Sequence, residues 1–205
     1  MPDFVTPTMI LAAWALAGYL LGSIPFGIVV ARLMGLGDLR QIGSGNIGAT
    51  NVLRTGSKPG AALTLIADAG KAGAAVLLAR ALVADDAAQL AGLAAFFGHC
   101  YPIWLKFRGG KGVSTFFGLL FALAWPIGLA AGATWLIIAA IFRYSSLAAL
   151  VTATLTPLFM IILSQSQLLT LSIALTLLIS WRHKENISRL VRFQESKIGE
   201  NNFKI

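Results

Sequence analysis

The chain has 205 residues, of which 57% are apolar and only 12% are charged. A soluble domain of this length carries about twice that share of charged residues, so the composition argues against a soluble globular fold. Lysine and arginine number 16 against 8 aspartate and glutamate. Such an excess suggests nucleic-acid binding in a soluble protein. Here the apolar residues form long runs, and the excess is typical of a membrane protein with a basic cytoplasmic side.

The first apolar run predicts a membrane span from Met9 to Met34. The residues before it contain Asp3 and no lysine or arginine, so we interpret the run as a span of the mature protein and not as a signal peptide. Gly18 and Gly22 form a small-xxx-small pair, which allows close contact between helices. Pro25 predicts a kink in this span.

Two polar loops flank the next two spans. Residues 35–60 are rich in Gly, Ser, Asn and Thr and are too polar to cross lipid. Spans two and three are predicted at 61–83 and 87–105, and the second polar loop follows at 106–112.

Several ionisable or nucleophilic side chains fall inside these predicted spans. Asp68 and Lys71 are three residues apart, so they can pair on one helix face. A structural ion pair and a substrate contact are equally open interpretations. The single cysteine, Cys100, follows His99 directly, and a small apolar core residue is favoured over a nucleophile at this position.

The stretch Val113–Phe142 predicts either one long kinked helix or two short helices that turn near Trp125 and Pro126. Two helices are favoured, because they keep the basic loops on one side of the membrane. The remaining predicted elements are a span at 146–163, a span at 168–181 and a basic tail at 182–205.

These elements predict a single all-α domain over residues 1–205. It is a polytopic integral membrane bundle of about seven transmembrane helices, some of them short or kinked. All lysines and arginines except Lys71 and Arg80 then fall on one side, and Asp3, Asp85 and Asp86 fall on the other. The positive-inside rule places the N-terminus outside and the polar loops and C-terminus in the cytoplasm.

The first polar loop reads GSGNIGATNVLR from Gly43 to Arg54. Its glycines let backbone N–H groups converge on an anion, and Arg54 is suited to clamp a phosphate. A flexible connector is the alternative, but a connector needs no such density of donors. The candidate ligands in this loop are Gly43, Ser44, Gly45, Asn46, Thr50, Asn51 and Arg54.

The second loop belongs to the stretch GHCYPIWLKFRGGKGVST, from Gly98 to Thr115. Its GGKG segment resembles half of a P-loop, but the spacing does not match a Walker motif. Glycines at a helix N-terminus beside Lys111 nevertheless favour anion binding. A positive-inside cluster explains Lys106 and Arg108 but not the glycines around Lys111.

The tail contains HKENISRL, from His183 to Leu190. If the last helix continues, His183 and Asn186 share a face. An interfacial helix with a basic solvated face is the alternative. Together the three segments offer Ser, Asn, Arg, Lys and His around glycines, without a metal-binding set or a Ser-His-Asp order. The pattern predicts a site for phosphorylated substrates that uses no metal.

These three segments, together with GSIPFG at 22–27 and DAGKAG at 68–73, resemble the bacterial acyl-phosphate:glycerol-3-phosphate acyltransferase family (PlsY) over nearly the whole chain. The resemblance implies an enzyme of the bacterial inner membrane. It would transfer an acyl group from acyl phosphate to the sn-1 hydroxyl of glycerol 3-phosphate, the first committed step of phospholipid synthesis. The products would be lysophosphatidic acid and phosphate. The resemblance implies no cofactor, metal or nucleic acid, neither acyl-CoA nor acyl carrier protein as direct donor, and a monomer among membrane lipids.

The same resemblance implies roles for individual residues. Ser44, Arg54 and Lys111 would be catalytic, with Ser44 helping to place the reacting groups. Phosphate would be held by Arg54, Lys111, His183 and Asn186, while His99 and His183 remain rival candidates for a general base. The full substrate-binding set is Gly43, Gly45, Asn46, Thr50, Asn51, His99, Gly109, Gly110, Gly112, Thr115, His183 and Asn186.

Two other functions fit parts of the pattern. A transporter of organic phosphates would use similar cations, but its site would lie near the midplane between repeated halves. A scaffold that binds anionic lipids would explain the basic tail but not the Gly-Ser-Asn loop. The chain has no internal repeat and its cations cluster at one face, so the enzyme is favoured.

Overall fold

The computed structural model describes residues 5–199, and the regular secondary structure in this range is entirely helical, without a β-strand. Four apolar segments are long enough to cross a membrane, and two shorter apolar helices accompany them. The prediction of an all-α membrane bundle is therefore confirmed. The helices are α1 Thr8–Gly22, α2 Phe26–Leu33, α3 Ala49–Leu53, α4 Lys58–Leu82, α5 Asp85–Cys100, α6 Val113–Leu123, α7 Trp125–Phe142, α8 Ser145–Ile162, α9 Leu169–Arg182 and α10 Lys184–Val191.

The first predicted span is broken. The kink predicted at Pro25 is in the right position, but the helix is interrupted there and not merely bent: α1 ends at Gly22 and α2 begins at Phe26. Proline lacks the N–H that would continue the helical hydrogen bonds. The carbonyl oxygen of Ile24, within this break, accepts a 2.7 Å hydrogen bond from Lys71 of α4.

Helices α1 and α5 pack with their backbones in contact. A Cβ atom added at Gly18 or Gly22 would collide with the backbone carbonyl of Ala91 or Ala95, respectively. Lipid is as apolar as the side chains, so association in a membrane depends on such close van der Waals packing. The contact predicted from the two glycines is confirmed.

Many large apolar residues cover the outside of the bundle. Alanines of α4 and α5 belong to the same buried cluster as Phe96, Phe116 and Leu119. Outward-facing side chains include Leu16, Leu63, Ile161 and Leu177, each of them exposed. An apolar exterior of this kind suits a bundle whose outer solvent is hydrocarbon.

Two predicted helix boundaries in the middle of the chain had different outcomes. The span predicted at 87–105 was wrong at its C-terminal end, because α5 ends at Cys100 and the segment Ile103–Leu105 forms a separate 3-10 turn. Pro102 explains the stop, since the residue before a proline is pushed out of the helical region. The two-helix interpretation of 113–142 is confirmed, with the turn at Ala124.

The polar loops meet at one end of the bundle, which we call the loop face (residues 35–57, 101–112, 143–145 and 183–199). Arg40 of the first loop donates to the Arg108 carbonyl of the second at 2.9 Å, and the hydroxyls of Thr50 and Ser145 lie 3.1 Å apart. At the opposite end, Asp86 accepts backbone hydrogen bonds from Val5 and Thr6. Asp3 and Lys204, which also entered the topology prediction, lie outside the described residues.

Candidate active site

A cavity of about 890 Å³ extends from the loop face down between α4, α6 and α7. Its polar end contains these predicted site residues: Ser44, Asn46, Thr50, Asn51, Arg54, His99, Lys111, Gly112, His183 and Asn186. Its apolar arm is lined by Leu65, Ile66, Ala69, Gly70, Gly73, Leu77, Phe117, Gly118, Phe121, Gly132, Trp135 and Leu136. Five predicted residues lie outside the lining: Gly43, Gly45, Gly109, Gly110 and Thr115.

Lys111 precedes α6 and reaches into the polar end, where its Nζ donates to Asn186 Oδ1 at 2.5 Å. Burial, together with the nearby Arg189 guanidinium, lowers the pKa of Lys111 to about 8. Lys111 is therefore mostly protonated at neutral pH, and a bound phosphate anion would favour this protonated form further.

Two glycines of the second loop, predicted to bind phosphate, instead form hydrogen bonds within the protein. Gly109 and Gly110 donate their N–H groups to the carbonyls of Cys100 and His99 at 3.1 and 3.0 Å, and their own carbonyls accept from Arg182. These amides are thus paired within the protein, and the loop is fixed to the ends of α5 and α9. Gly112 does line the cavity, at a φ of 84°, and any side chain there would enter the Phe96 ring.

Thr115, in the first turn of α6, is fully buried away from the cavity. Its hydroxyl has no hydrogen-bond partner among the described residues.

Arg54 caps the short helix α3 and places its guanidinium at the polar end. Its Nη2 donates to Ser196 Oγ at 2.6 Å. Burial lowers the pKa of Arg54 while the Glu195 carboxylate raises it, and the group stays charged because an arginine side chain does not lose its proton in proteins. Gly43 makes room for this arrangement, since a Cβ at that position would collide with Arg54 and Asn51.

Ser44 is placed by the buried side chain of Asn51. The Asn51 Oδ1 accepts from the Ser44 backbone N–H at 3.2 Å, and the Asn51 amide is held by the Leu39 carbonyl at 2.8 Å. The Ser44 hydroxyl also donates to Asn51 Oδ1 at 3.4 Å, and the exposed residue lines the cavity. Gly45 supports the same turn by donating to the Ile42 carbonyl at 2.9 Å.

His183 lies at the joint between α9 and α10, so the two form separate helices and not the continuous one considered from the sequence. Its Nδ1 is 2.8 Å from the Ile179 carbonyl oxygen. A carbonyl only accepts, so Nδ1 carries the hydrogen. Burial lowers the pKa of His183 to about 4, which makes the imidazole neutral and leaves Nε2 as an acceptor at the cavity wall.

Glu195 lines the cavity and was missed by the sequence analysis. Its Oε1 accepts from Asn186 Nδ2 at 2.6 Å and from Ser146 Oγ at 2.7 Å, and its Oε2 accepts from Arg189 at 2.6 Å. Burial raises the pKa of Glu195, but these hydrogen bonds outweigh burial and hold the pKa below its usual value. Because the carboxylate takes the Asn186 amide hydrogens, the Asn186 oxygen is turned toward Lys111. An acid in a tail dominated by cations gave little signal for this role.

His99, at the C-terminal end of α5, lines the polar end of the cavity but is 4% exposed. Its neighbour Cys100 is buried in the apolar core, as expected of a core residue. The predicted pairing of Asp68 with Lys71 is present, at 2.8 Å.

A family model described as glycerol-3-phosphate acyltransferase matches residues 12–193. The chain belongs to this family. As a glycerol-3-phosphate acyltransferase it is an enzyme, so the transporter and the lipid-binding scaffold that the basic loops also allowed are set aside. The protein of that name from Dinoroseobacter shibae is 61% identical over 199 residues, which cover 97% of this chain and 98% of the relative. The one from Ruegeria pomeroyi is 59% identical, with 98% of both chains covered.

The solved structures similar to this glycerol-3-phosphate acyltransferase are crystal structures of PlsY, described as an integral membrane enzyme. Its glycerol 3-phosphate form superposes with a TM-score of 0.87 at 38% identity, over 92% of this chain and 96% of that one. Its lysophosphatidic acid form superposes with a TM-score of 0.84 at 35% identity. The fold and the membrane location of the chain are therefore those of PlsY.

Proposed function

We propose that the enzyme transfers an acyl group from acyl phosphate to the sn-1 hydroxyl of glycerol 3-phosphate. One observation carries this proposal: a single cavity joins a polar end, with the cations Arg54 and Lys111, to an apolar arm between three helices. An anionic head group and a long hydrocarbon tail are the two parts that such a cavity suits.

Glycerol 3-phosphate would bind with its phosphate between Lys111 and Arg54. Charge-assisted hydrogen bonds from ammonium and guanidinium groups are the strongest that proteins offer to a phosphate. His183 is neutral and presents a lone pair, so we assign it to a substrate hydroxyl, a refinement of the phosphate role inferred from the family resemblance. Ser44, held by Asn51, would help to place the reacting groups.

The acyl chain would lie in the apolar arm. Cavity-lining residues recur on one face of α4 from Ala62 to Leu77, a stripe about 22 Å long at 1.5 Å per residue. This length exceeds half of the roughly 30 Å hydrocarbon core of a bilayer, which is the depth of one lipid tail. The arm therefore suits a long-chain acyl group.

In the proposed step, the sn-1 hydroxyl oxygen attacks the acyl carbonyl carbon. The ester C–O bond forms, the C–O bond between the acyl carbon and the phosphate oxygen breaks, and the hydroxyl proton passes to the departing phosphate. The products are lysophosphatidic acid and inorganic phosphate. An acyl phosphate is already activated, so positioning and stabilisation of the leaving phosphate by the two cations are the main contributions required of the protein.

We further propose that the loop face lies in the cytoplasm and the N-terminus outside, with residues 1–205 acting as one domain. The described cations other than Lys71 and Arg80 lie on or next to the loop face, which supports this orientation through the positive-inside rule. A monomer suffices, since all lining residues of the cavity belong to one chain.

The test is an assay on the purified protein with palmitoyl phosphate and glycerol 3-phosphate, without CoA, carrier protein or added metal. Equal amounts of phosphate and lysophosphatidic acid are expected. Activity with palmitoyl-CoA but none with palmitoyl phosphate would overturn the assignment of the donor while leaving the family activity intact.

A further inference from the structure

A cluster of ionisable side chains is buried beneath the polar end of the cavity. Asp68 and Lys71 of α4 and His99 of α5 are 1%, 4% and 4% exposed, respectively. Ionisable groups inside a membrane bundle are expensive to bury and are often functional. The proposed reaction uses neither Asp68 nor Lys71, so their presence calls for a separate explanation.

Lys71 has a structural task. Its Nζ lies 2.8 Å from Asp68 Oδ1 and donates a 2.7 Å hydrogen bond to the Ile24 carbonyl in the break between α1 and α2. The ammonium group therefore balances the Asp68 charge while it holds a backbone oxygen within the helix break, which also accepts from the Phe26 N–H at 3.1 Å. This arrangement accounts for Lys71 but not for the second neighbour of the Asp68 carboxylate.

The same Asp68 Oδ1 that meets the Lys71 ammonium also lies 3.5 Å from His99 Nδ1. His99 Nδ1 has no other hydrogen-bonding partner among residues 5–199. A carboxylate accepts only, so the hydrogen of a neutral His99 belongs on Nδ1, and Nε2 lies at the opposite edge of the ring. A carboxylate behind a histidine fixes the orientation of the imidazole, as it does for histidines that bind metals.

The opposite edge of the ring lies against the second loop. A Cβ atom at Gly110 would collide with His99 Nε2, so the loop rests directly on the imidazole. Gly110 also donates its N–H to the His99 carbonyl at 3.0 Å. His99 thus contacts Gly110 through both the imidazole ring and the backbone carbonyl, and Gly110 immediately precedes Lys111.

We propose that Asp68 is a positioning residue for Lys111. It fixes the His99 ring, the ring fixes the turn at Gly110, and the turn aims the Lys111 ammonium at the phosphate of glycerol 3-phosphate. Lys71 supplies the counter-charge that makes a buried carboxylate tolerable. The inference rests on the phosphate site of the proposed function and is independent of the identity of the acyl donor.

The test measures glycerol 3-phosphate affinity by calorimetry, with kcat and KM, for a variant that removes both buried charges, Asp68→Asn with Lys71→Met. A double change avoids leaving one charge unpaired in the membrane. We expect the variant to fold, the dissociation constant for glycerol 3-phosphate to rise about tenfold, which is within the usual coupling of contacting residues, and the loss to appear mainly in KM. Wild-type affinity would reduce the pair to a structural ion pair and overturn the proposal.

The route through Lys111 is tested by adding Lys111→Met to the double variant. If Asp68 acts through Lys111, the triple variant binds glycerol 3-phosphate no more weakly than Lys111→Met alone. Losses that multiply would show that Asp68 acts elsewhere. The matched control is Arg80→Met with Asp85→Asn, which removes the ion pair between Arg80 of α4 and Asp85 of α5 (2.7 Å). Arg80 lies about three turns along α4 from Asp68 and Lys71, so this control should leave the affinity within twofold of wild type.

Gly110→Ala probes the same contact without touching the buried charges, and it serves if the charge variant does not fold. The added methyl group meets His99 Nε2, so we expect a similar rise in the dissociation constant and the same lack of additivity with Lys111→Met. Normal binding by Gly110→Ala would overturn the proposal. If the wild-type protein binds glycerol 3-phosphate but accepts no acyl group from acyl phosphate, the proposed donor fails while these binding results still decide the role of Asp68.

Discussion

The two parts of the cavity are built by different means. At the polar end, each group that would touch the substrate phosphate is fixed by a specific partner: Lys111 by Asn186 and Arg54 by Ser196. The apolar arm has no such fixation, and its walls are helix faces that carry glycine and alanine between larger side chains. The head group is thus selected by the position of a few atoms, and the tail by the space available.

This difference predicts unequal sensitivity to mutation. Removing one charged group from the polar end deletes a charge-assisted hydrogen bond of about 1.5–3 kcal/mol. Adding volume to the arm changes only how well part of a hydrocarbon chain fits, about 1–3 kcal/mol for long chains and close to nothing for short ones.

The largest effect is expected for Lys111→Met, which keeps the length of the side chain and removes its charge. The value of kcat/KM should fall about 100-fold, because the lost bond is to a charged phosphate. The fall in kcat/KM is measured by steady-state kinetics with glycerol 3-phosphate as the varied substrate. Lys106→Met is the matched control, since Lys106 is an exposed cation of the same loop outside the cavity lining, and it should stay within twofold of wild type. Equal losses for the two variants would mean that only the net charge of the loop matters.

An intermediate effect is expected from pH. The pKa of Lys111 in the free enzyme is about 8, so its positive charge is present below that pH and lost above it. KM for glycerol 3-phosphate should therefore rise as the pH passes 8, by up to about tenfold per pH unit. KM measured between pH 7 and 9.5 tests this, with Lys111→Arg as the control, because arginine stays charged and should abolish the rise. A rise that persists in Lys111→Arg would assign the titration to another group.

The smallest effect is expected for Gly132→Phe in the arm. A Cβ at Gly132 has nothing within 4 Å, so the ring would extend into the cavity without disturbing the fold. The preference for a palmitoyl over an octanoyl donor should fall about tenfold, as read from the ratio of the two kcat/KM values. Ala133→Phe, on the exposed side of the same helix, should leave the ratio unchanged. An unchanged ratio in Gly132→Phe would place the acyl chain outside the arm.

The sequence predicted most helices because apolar runs and prolines are local signals. Pro126 located the turn between α6 and α7, and the glycine pair at 18 and 22 indicated a close helix contact without identifying α5 as the partner. The end of α5 was misjudged because the apolar residues after Pro102 resemble a continued span. The break at Pro25 is stabilised by Lys71, which is 47 residues away in the chain, and a local pattern does not reveal such a partner.

The residues of the candidate site were likewise predictable only where the signal was local. Lys111, Arg54 and Ser44 were found from residue type and glycine density, and the structure gathers them in one cavity. The paired amides of Gly109 and Gly110 depend on the end of α5, so their supporting position was not visible in the motif. Glu195 was missed because its partners Asn186 and Ser146 are 9 and 49 residues distant, and no local pattern links it to them.

Helix α6 has only 11 residues, about 16 Å of rise, whereas the hydrocarbon core of a bilayer is about 30 Å thick. A span so much shorter than its surroundings is accommodated by thinning the bilayer around it. Such thinning would bring Lys111, two residues before the start of α6, below the level of the surrounding lipid head groups. Under the proposed function, a soluble acceptor and a lipid-borne donor would then meet at a dent in the membrane surface, and we expect the thickness of the host bilayer to act on the rate.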